Sequence, residues 1–217
     1  MARKRKSYSY AETFREYLNK GVKLELYQKI GILFLVVVIS GFVGWVYEFL
    51  LMWIMEGQIY MKGGNLLPWM NIYAIGALAV IPITYKIRKY PWAVFVVSAL
   101  VTGVVELIGG WLVYMIGNGT RYWDYSHDWW GVGHINGFVC PASVTAFGIG
   151  CLALMYLVLP LCIHLARRMS KRAFLTLAIT LFAIVMIDEV TNLTLKNLNM
   201  PTAMDFYESL GLVYKQG

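Results

Sequence analysis

Five apolar runs constrain this chain more than any other feature. They cover residues 30–55, 66–85, 92–116, 137–165 and 173–195. Each is about 20 residues or longer, the length at which a helix crosses the roughly 30 Å hydrocarbon layer of a bilayer. No water reaches that layer, so a span must satisfy its own backbone groups, and a run of this length does so as a helix. The expected fold is all-α: a polytopic helical membrane bundle of about five transmembrane helices. Composition agrees, with 59% of the 217 residues hydrophobic and 14% charged, against about 25% charged in soluble domains. An ordinary soluble enzyme, a nucleic-acid-binding domain and a disordered chain are all excluded. The net charge of +7 implies no nucleic-acid partner, because the basic residues flank the apolar runs and the membrane accounts for them.

Those basic residues predict the orientation. Of the 19 lysines and arginines, 15 lie before the first run, between the second and third, or between the fourth and fifth. The remainder are Lys62, Arg121, Lys196 and Lys215. The positive-inside rule then puts the N-terminus in the cytoplasm and the C-terminus outside. The first run is too long for a signal-peptide core and is followed by no small-residue cleavage site, so it reads as retained. The chain divides into a basic cytoplasmic segment (1–29), a transmembrane bundle (30–195) and an outer tail (196–217). Within the first segment, residues 8–29 space their apolar side chains helically, as either an interfacial helix or a solvated basic leader. A second amphipathic piece covers 206–214.

The first and third runs share a pattern. Gly44, Glu48 and Trp53 in one match Gly103, Glu106 and Trp111 in the other. The second and fourth share Ile-Gly-x-Leu-Ala at residues 75 and 149, each followed by a proline and a basic loop. Two tandem hairpins of the same orientation plus one further helix would explain this. Pro68 and Pro82 interrupt the second run, and Pro141 and Pro160 the fourth.

Ionisable groups within membrane spans are costly and mark functional positions. Four carboxylates qualify: Glu48, Glu106, Asp188 and Glu189. Counting about 1.5 Å per residue from the cytoplasmic ends puts all of them in the outer half. Ser40, Gly44 and Glu48 form one i, i+4 row, and Ser98, Thr102, Glu106 and Gly110 another. Small residues mark helix contacts in membranes, so these glutamates are expected to face the bundle. They would serve substrate or ion binding, or equally a structural pairing with Arg121 or Lys196. If the two glutamates share one cavity they would also share a proton, since like charges close together in low dielectric cannot both stay ionised.

The outer loop 117–136 holds Arg121, Trp123, Asp124, Tyr125, His127, Asp128, Trp129, Trp130 and His134. It reads as an aromatic membrane anchor or as a lid over the carboxylates, with Arg121 and Asp124 as its candidate binding residues. His127, Asp128 and His134 match no strong metal spacing, and no metal or other cofactor is expected. Cys140, Cys151 and Cys162 recur every eleven residues along one helix face, too far apart for mutual disulfides. The chain has no Gly-rich phosphate loop ending in Lys-Ser or Lys-Thr and hence no ATPase of its own. No serine or cysteine nucleophile has a neighbouring base.

Three blocks carry a resemblance. They are Gly41-Phe42-Val43-Gly44-Trp45-Val46-Tyr47-Glu48, then Pro68 with Ile72-Tyr73-Ala74-Ile75-Gly76-Ala77-Leu78, then Trp123-Asp124-Tyr125-Ser126 followed by Asn136-Gly137. Together they span about 35–165, and there the chain resembles a family of small bacterial membrane proteins described as type IV ABC-transporter permeases (CmpB-like). The Trp-Asp-Tyr-Ser block is the most specific. The chain departs at Met70 and Asn71, where the family usually has Cys-Pro. The resemblance implies a multi-pass protein of the bacterial cytoplasmic membrane. It also implies a permease-like transport role without an ATPase of its own, with the lipid bilayer and a separate ATPase or other membrane subunit as partners. Two alternatives stand beside it: a non-catalytic accessory or sensor, and a membrane-embedded enzyme acting on a lipid-linked substrate.

Overall fold

The computed structural model describes residues 8–57, 61, 64–119, 121 and 123–212. Among these every regular element is helical. They are α1 (Tyr10–Asn19), α2 (Leu26–Glu56), α3 (Asn71–Thr84), α4 (Pro91–Ile116), α5 (Pro141–Ala153), α6 (Leu159–Arg168), α7 (Lys171–Asn197) and α8 (Ala203–Ser209). A 3-10 turn, Tyr85–Ile87, prolongs α3, and a π-helical turn, Leu154–Val158, joins α5 to α6. The protein is a helical membrane bundle. Four stretches are long and apolar enough to cross a membrane: Leu26–Ile54, Pro91–Ile116, Pro141–Arg168 and Lys171–Asn197. The second apolar run forms the shorter helix Asn71–Ile87.

That helix is short for a local reason. Residues 66–70 belong to the apolar run but are not helical. Pro68 offers no N–H and disfavours helical backbone at Leu67. The backbone polar groups of this segment find other partners. Met70 N–H donates to Gly41 O at 3.1 Å, and the Trp69 indole donates to Val37 O at 3.2 Å. Those acceptors lie about 17 and 22 Å along α2 from its start, near its middle, by the helical rise. Irregular backbone at that depth is tolerated where protein buries and satisfies it. Glycine provides the room: a Cβ on Gly41 would lie 2.0 Å from the Trp69 indole nitrogen, and one on Gly44 2.0 Å from the Tyr73 ring.

The chain forms two compact units, with boundaries between α1 and α2, inside α3 and inside α6. One holds Met1–Lys23 and Gly76–His164, the other Leu24–Ile75 and Leu165–Gly217. In the first, α4 packs along α5; in the second, α2 packs along α7. The partner of the first span is therefore the last span, although Tyr73 on α3 also seats on α2.

In the first unit α4 is turned inside out relative to a water-soluble helix. Val94, Ser98, Thr102, Glu106 and Gly110 are buried, while Val96, Leu100, Val104, Ile108 and Met115 are exposed. Lipid rewards that arrangement, because an outward leucine costs nothing there and small or polar residues let helices approach. The fourth span begins at Pro141, with Cys140 as its N-cap, so only Cys151 and Cys162 lie on the helix proper. The π turn lies directly ahead of Pro160. A proline cannot donate to the carbonyl four residues back and crowds it, and the wider turn absorbs both problems.

α1 opens with a reciprocal cap between Ser9 and Glu12. Its Thr13 and Tyr17 are fully buried in the first unit. Thr13 Oγ1 lies 3.3 Å from His164 Nδ1, and the Arg88 guanidinium donates to the Tyr17 carbonyl and lies over the Tyr17 and Tyr85 rings. Burial pushes the Tyr17 phenol well above its ordinary value, against the pull of Arg88. Protein thus covers Tyr17 on the apolar face of α1, while Tyr10 stays exposed. The basic run at residues 3–6, Lys62, and the tail from residue 213 lie outside the described residues. The tail up to there forms α8, whose Tyr207 hydroxyl donates to Leu66 O.

Candidate functional site

The sequence-predicted carboxylates fall into two groups with different surroundings. Asp188 and Glu189, on α7, belong to the second unit and hold the irregular segment ahead of α3. Asp188 accepts the Leu66 and Leu67 N–H groups at 3.2 and 2.8 Å and the Asn192 amide at 2.8 Å. Glu189 accepts from Asn65 at 2.6 Å and from Asn71 at 3.2 Å. Two adjacent acidic residues thereby satisfy two backbone and three side-chain donors, which is what an unwound segment at membrane depth needs. Asn71, at the start of α3, supplies one of those donors.

Glu48 and Glu106 share a different arrangement, each within its own unit. Glu48 on α2 accepts from the Tyr73 hydroxyl at 2.7 Å. Glu106 on α4 accepts from the Ser143 hydroxyl at 2.8 Å and from the Tyr125 hydroxyl. Tyr73 is the third residue of α3 and Ser143 the third of α5. In both cases a long helix presents a glutamate to a hydroxyl in the first turn of the next helix. The two glutamates that share this arrangement are also the two that precede a tryptophan by five residues, Trp53 and Trp111.

Glu106 is the more deeply enclosed of the two, at 2% exposure. Along α4 it lies about 22 Å from Pro91 and about 15 Å from Ile116. The segment after α4 comes back to reach it. Trp123 donates its indole N–H to Phe138 O at 2.8 Å, and Tyr125 N–H donates to Gly137 O at 2.9 Å. Tyr125 is then placed with its hydroxyl on Glu106. Asp124 accepts from Ser126 N at 3.0 Å and Ser126 Oγ at 2.6 Å, and pairs with Arg121 at 3.2 Å. Partial burial pushes the Asp124 carboxyl up, but the Ser126 hydrogen bonds and the charges of Arg121 and His127 outweigh it, and the group titrates below its ordinary value. The partner of Arg121 is thus Asp124 in its own loop, and its Nη1 also donates to Asn136 O at 2.6 Å.

Backbone conformation makes this packing possible. Asn136 and Gly137 both have positive φ, 51° and 73°. A Cβ on Gly137 would lie 2.1 Å from Asp124 Oδ1 and 2.6 Å from Arg121 Nη1. The block Trp-Asp-Tyr-Ser with Asn-Gly therefore has a physical meaning: it folds the loop so that Tyr125 meets Glu106. Gly110 contributes in the same way, since a Cβ there would lie 2.9 Å from the Phe138 ring.

Beside this loop lies an open cleft of about 480 Å³, lined by Trp111, Tyr114, Arg121, Ser126, His134, Asn136 and Phe138. The Arg121 guanidinium stands 4.6 Å from the centre of the Phe138 ring and 5.3 Å from that of Tyr114. No group of three or more metal-ligating side chains occurs among the described residues. His134 has a different partner, accepting the Gly137 N–H at Nδ1. Sequence reasoning missed Tyr73, Tyr125 and Ser143 as carboxylate partners. Tyr125 stood out only as one aromatic among many, and nothing in helical periodicity links residue 125 to residue 106.

Comparison with curated proteins finds no match, and comparison with solved structures finds none either. A family model described as "Putative ABC-transporter type IV" matches residues 34–193. The match takes in most of the chain, including Glu48, Glu106, Arg121, Asp124, Asp188 and Glu189. The chain is a multi-pass membrane protein and belongs to this ABC-transporter-type family.

Proposed function

We propose that the chain is the permease-like component of a transport system in the bacterial cytoplasmic membrane. The N-terminus faces the cytoplasm, the C-terminus faces outside, and a polar site in the outer half centres on Glu106. The observation that carries this reading is the burial of Glu106 at membrane depth, held by hydroxyls from a loop and from a helix start. A carboxylate in such a place is costly to maintain and is kept for function more readily than for packing. The two hydroxyls can turn to serve either protonation state, which suits a group that binds and releases a cation or a proton. Arg121 and Asp124 set the loop that closes over it. Asp188, Glu189 and Glu48 act as supports in this reading, holding the unwound segment and the start of α3.

The basic residues support the orientation. In the first unit Arg88 and the α1 helix sit at the end of α4 away from Glu106; in the second, Lys171 lies over Tyr27 near the start of α2, remote from Glu48. The sequence has no phosphate loop, and in this reading a separate ATPase supplies the energy. Native mass spectrometry of the protein extracted in mild detergent tests this. A nucleotide-binding chain in fixed stoichiometry is the expected result. Its absence, together with a lipid product formed on reconstitution, would favour an enzyme instead.

A further inference from the structure

We propose that the cleft beside the outer end of α4 binds a phosphate monoester, with Arg121 and His134 as the residues that recognise the phosphate. This goes beyond the transport reading and stands whether or not Glu106 works in transport.

Arg121 uses Nη1 for Asp124 and for the Asn136 carbonyl. Its Nη2 and Nε have no partner among the described residues, which leaves one edge of a planar donor fork open. Arg121 lines the cleft, and its ion pair with Asp124, which is not among the described lining residues, fixes the guanidinium. Both aromatic rings beside it hold the guanidinium further in place. His134 accepts the Gly137 N–H at Nδ1. In the neutral ring this puts the hydrogen on Nε2 and makes His134 a donor as well. Asn136 belongs to the same lining. Among the described residues no carboxylate lines the cleft.

The rest of the lining is aromatic: Trp111, Tyr114 and Phe138. Such a wall suits an apolar body attached to the anionic head. A volume of about 480 Å³ falls within the roughly 300–1,000 Å³ of small-molecule sites. An arginine fork with a second donor matches a tetrahedral oxyanion with several terminal oxygens better than it matches a cation or a neutral group. Two sources have this chemistry: a lipid headgroup at the outer interface, and a soluble phosphate monoester.

Binding to the full chain in an uncharged detergent tests the proposal, using lysophosphatidic acid, glycerol 3-phosphate and lysophosphatidylcholine as probes. Saturable binding of one lysophosphatidic acid per chain is expected, at least tenfold tighter than the phosphodiester lysophosphatidylcholine. Glycerol 3-phosphate binding comparably would identify a soluble source; much weaker binding would identify a lipid. Arg121→Lys and His134→Asn should each weaken binding by about tenfold. The Asn Oδ1 stands where His134 Nδ1 does, so His134→Asn retains an acceptor for the Gly137 N–H and removes the Nε2 donor; its melting temperature should match wild type and separate lost binding from lost folding. The proposal is overturned if no phosphate monoester binds saturably, if the phosphodiester binds as well, or if a normally folded His134→Asn binds like wild type.

Discussion

At the residue scale the account turns on Glu106. Its oxygens accept hydrogen bonds from Ser143 and Tyr125, and removing the acceptor would leave the part-buried Tyr125 hydroxyl to be re-satisfied and the buried Ser143 hydroxyl with the Cys140 carbonyl at 2.9 Å. Leaving a buried polar group unpaired costs about 1–3 kcal/mol. Glu106→Ala should therefore lower stability by about that amount, whereas Glu106→Gln keeps an acceptor and the shape and should fold normally. Thermal unfolding in detergent measures both, and equal melting of the alanine variant and wild type would show that the clamp carries no energy. Asp124 makes a separate, pH-dependent claim. Its carboxyl titrates below the ordinary value, so its contribution is complete above the usual carboxylate range and is lost as pH falls through the lowered folded value. Tryptophan fluorescence should then report loosening of the Trp123 loop only in acid. In Asp124→Asn that acid-dependent step should be missing and the loop loosened already at neutral pH. An identical acid transition in both proteins would assign the titration elsewhere.

At the element scale the seats for aromatic rings decide how α2 meets its neighbours. Gly44→Ala would put a methyl 2.0 Å from the Tyr73 ring. Overpacking of this kind costs about 1–3 kcal/mol. Gly150, also in a helix, has nothing within 4 Å of its added methyl, so Gly150→Ala should be neutral or stabilise by up to about 1 kcal/mol through helix propensity. Denaturation of the pair of variants measures the contrast, and similar behaviour would sink the seat argument. The same elements show how far sequence reasoning reaches. Apolar length located α2, α4 and α7 to within a few residues, because the bilayer imposes one requirement along a whole span. It overran the second span, where Pro68 and the donors that Asp188 and Glu189 satisfy unwind residues 66–70. The inward faces of Glu48 and Glu106 were legible in i, i+4 rows of small residues. Their partners were not, since Tyr73, Ser143 and Tyr125 are brought to them by tertiary folding. The sequence leads one to expect Arg121 on one of the four outer-half carboxylates; it pairs instead with Asp124 in its own loop. The three-residue spacing of that pair in a loop makes it the easier contact to form.

At the scale of the whole molecule, two claims remain to be measured. The first is topology. In a background without Cys140, Cys151 and Cys162, a cysteine introduced at the exposed Val132 should react with a membrane-impermeant reagent on intact cells. One at Ser170, in the basic turn before α7, should react only after permeabilisation. The reverse pattern would invert the orientation. The second claim is that Glu106 works in transport, and a comparison of small-molecule content tests it whatever the substrate is. Cells lacking the chain, cells with wild type and cells with Glu106→Gln at an equal level of folded protein would be profiled by untargeted mass spectrometry, inside and outside. The account predicts that whatever compound separates wild type from the deletion will be distributed in Glu106→Gln cells as in the deletion. Restoration of the wild-type distribution by the glutamine variant would contradict it and return Glu106 to a purely structural role.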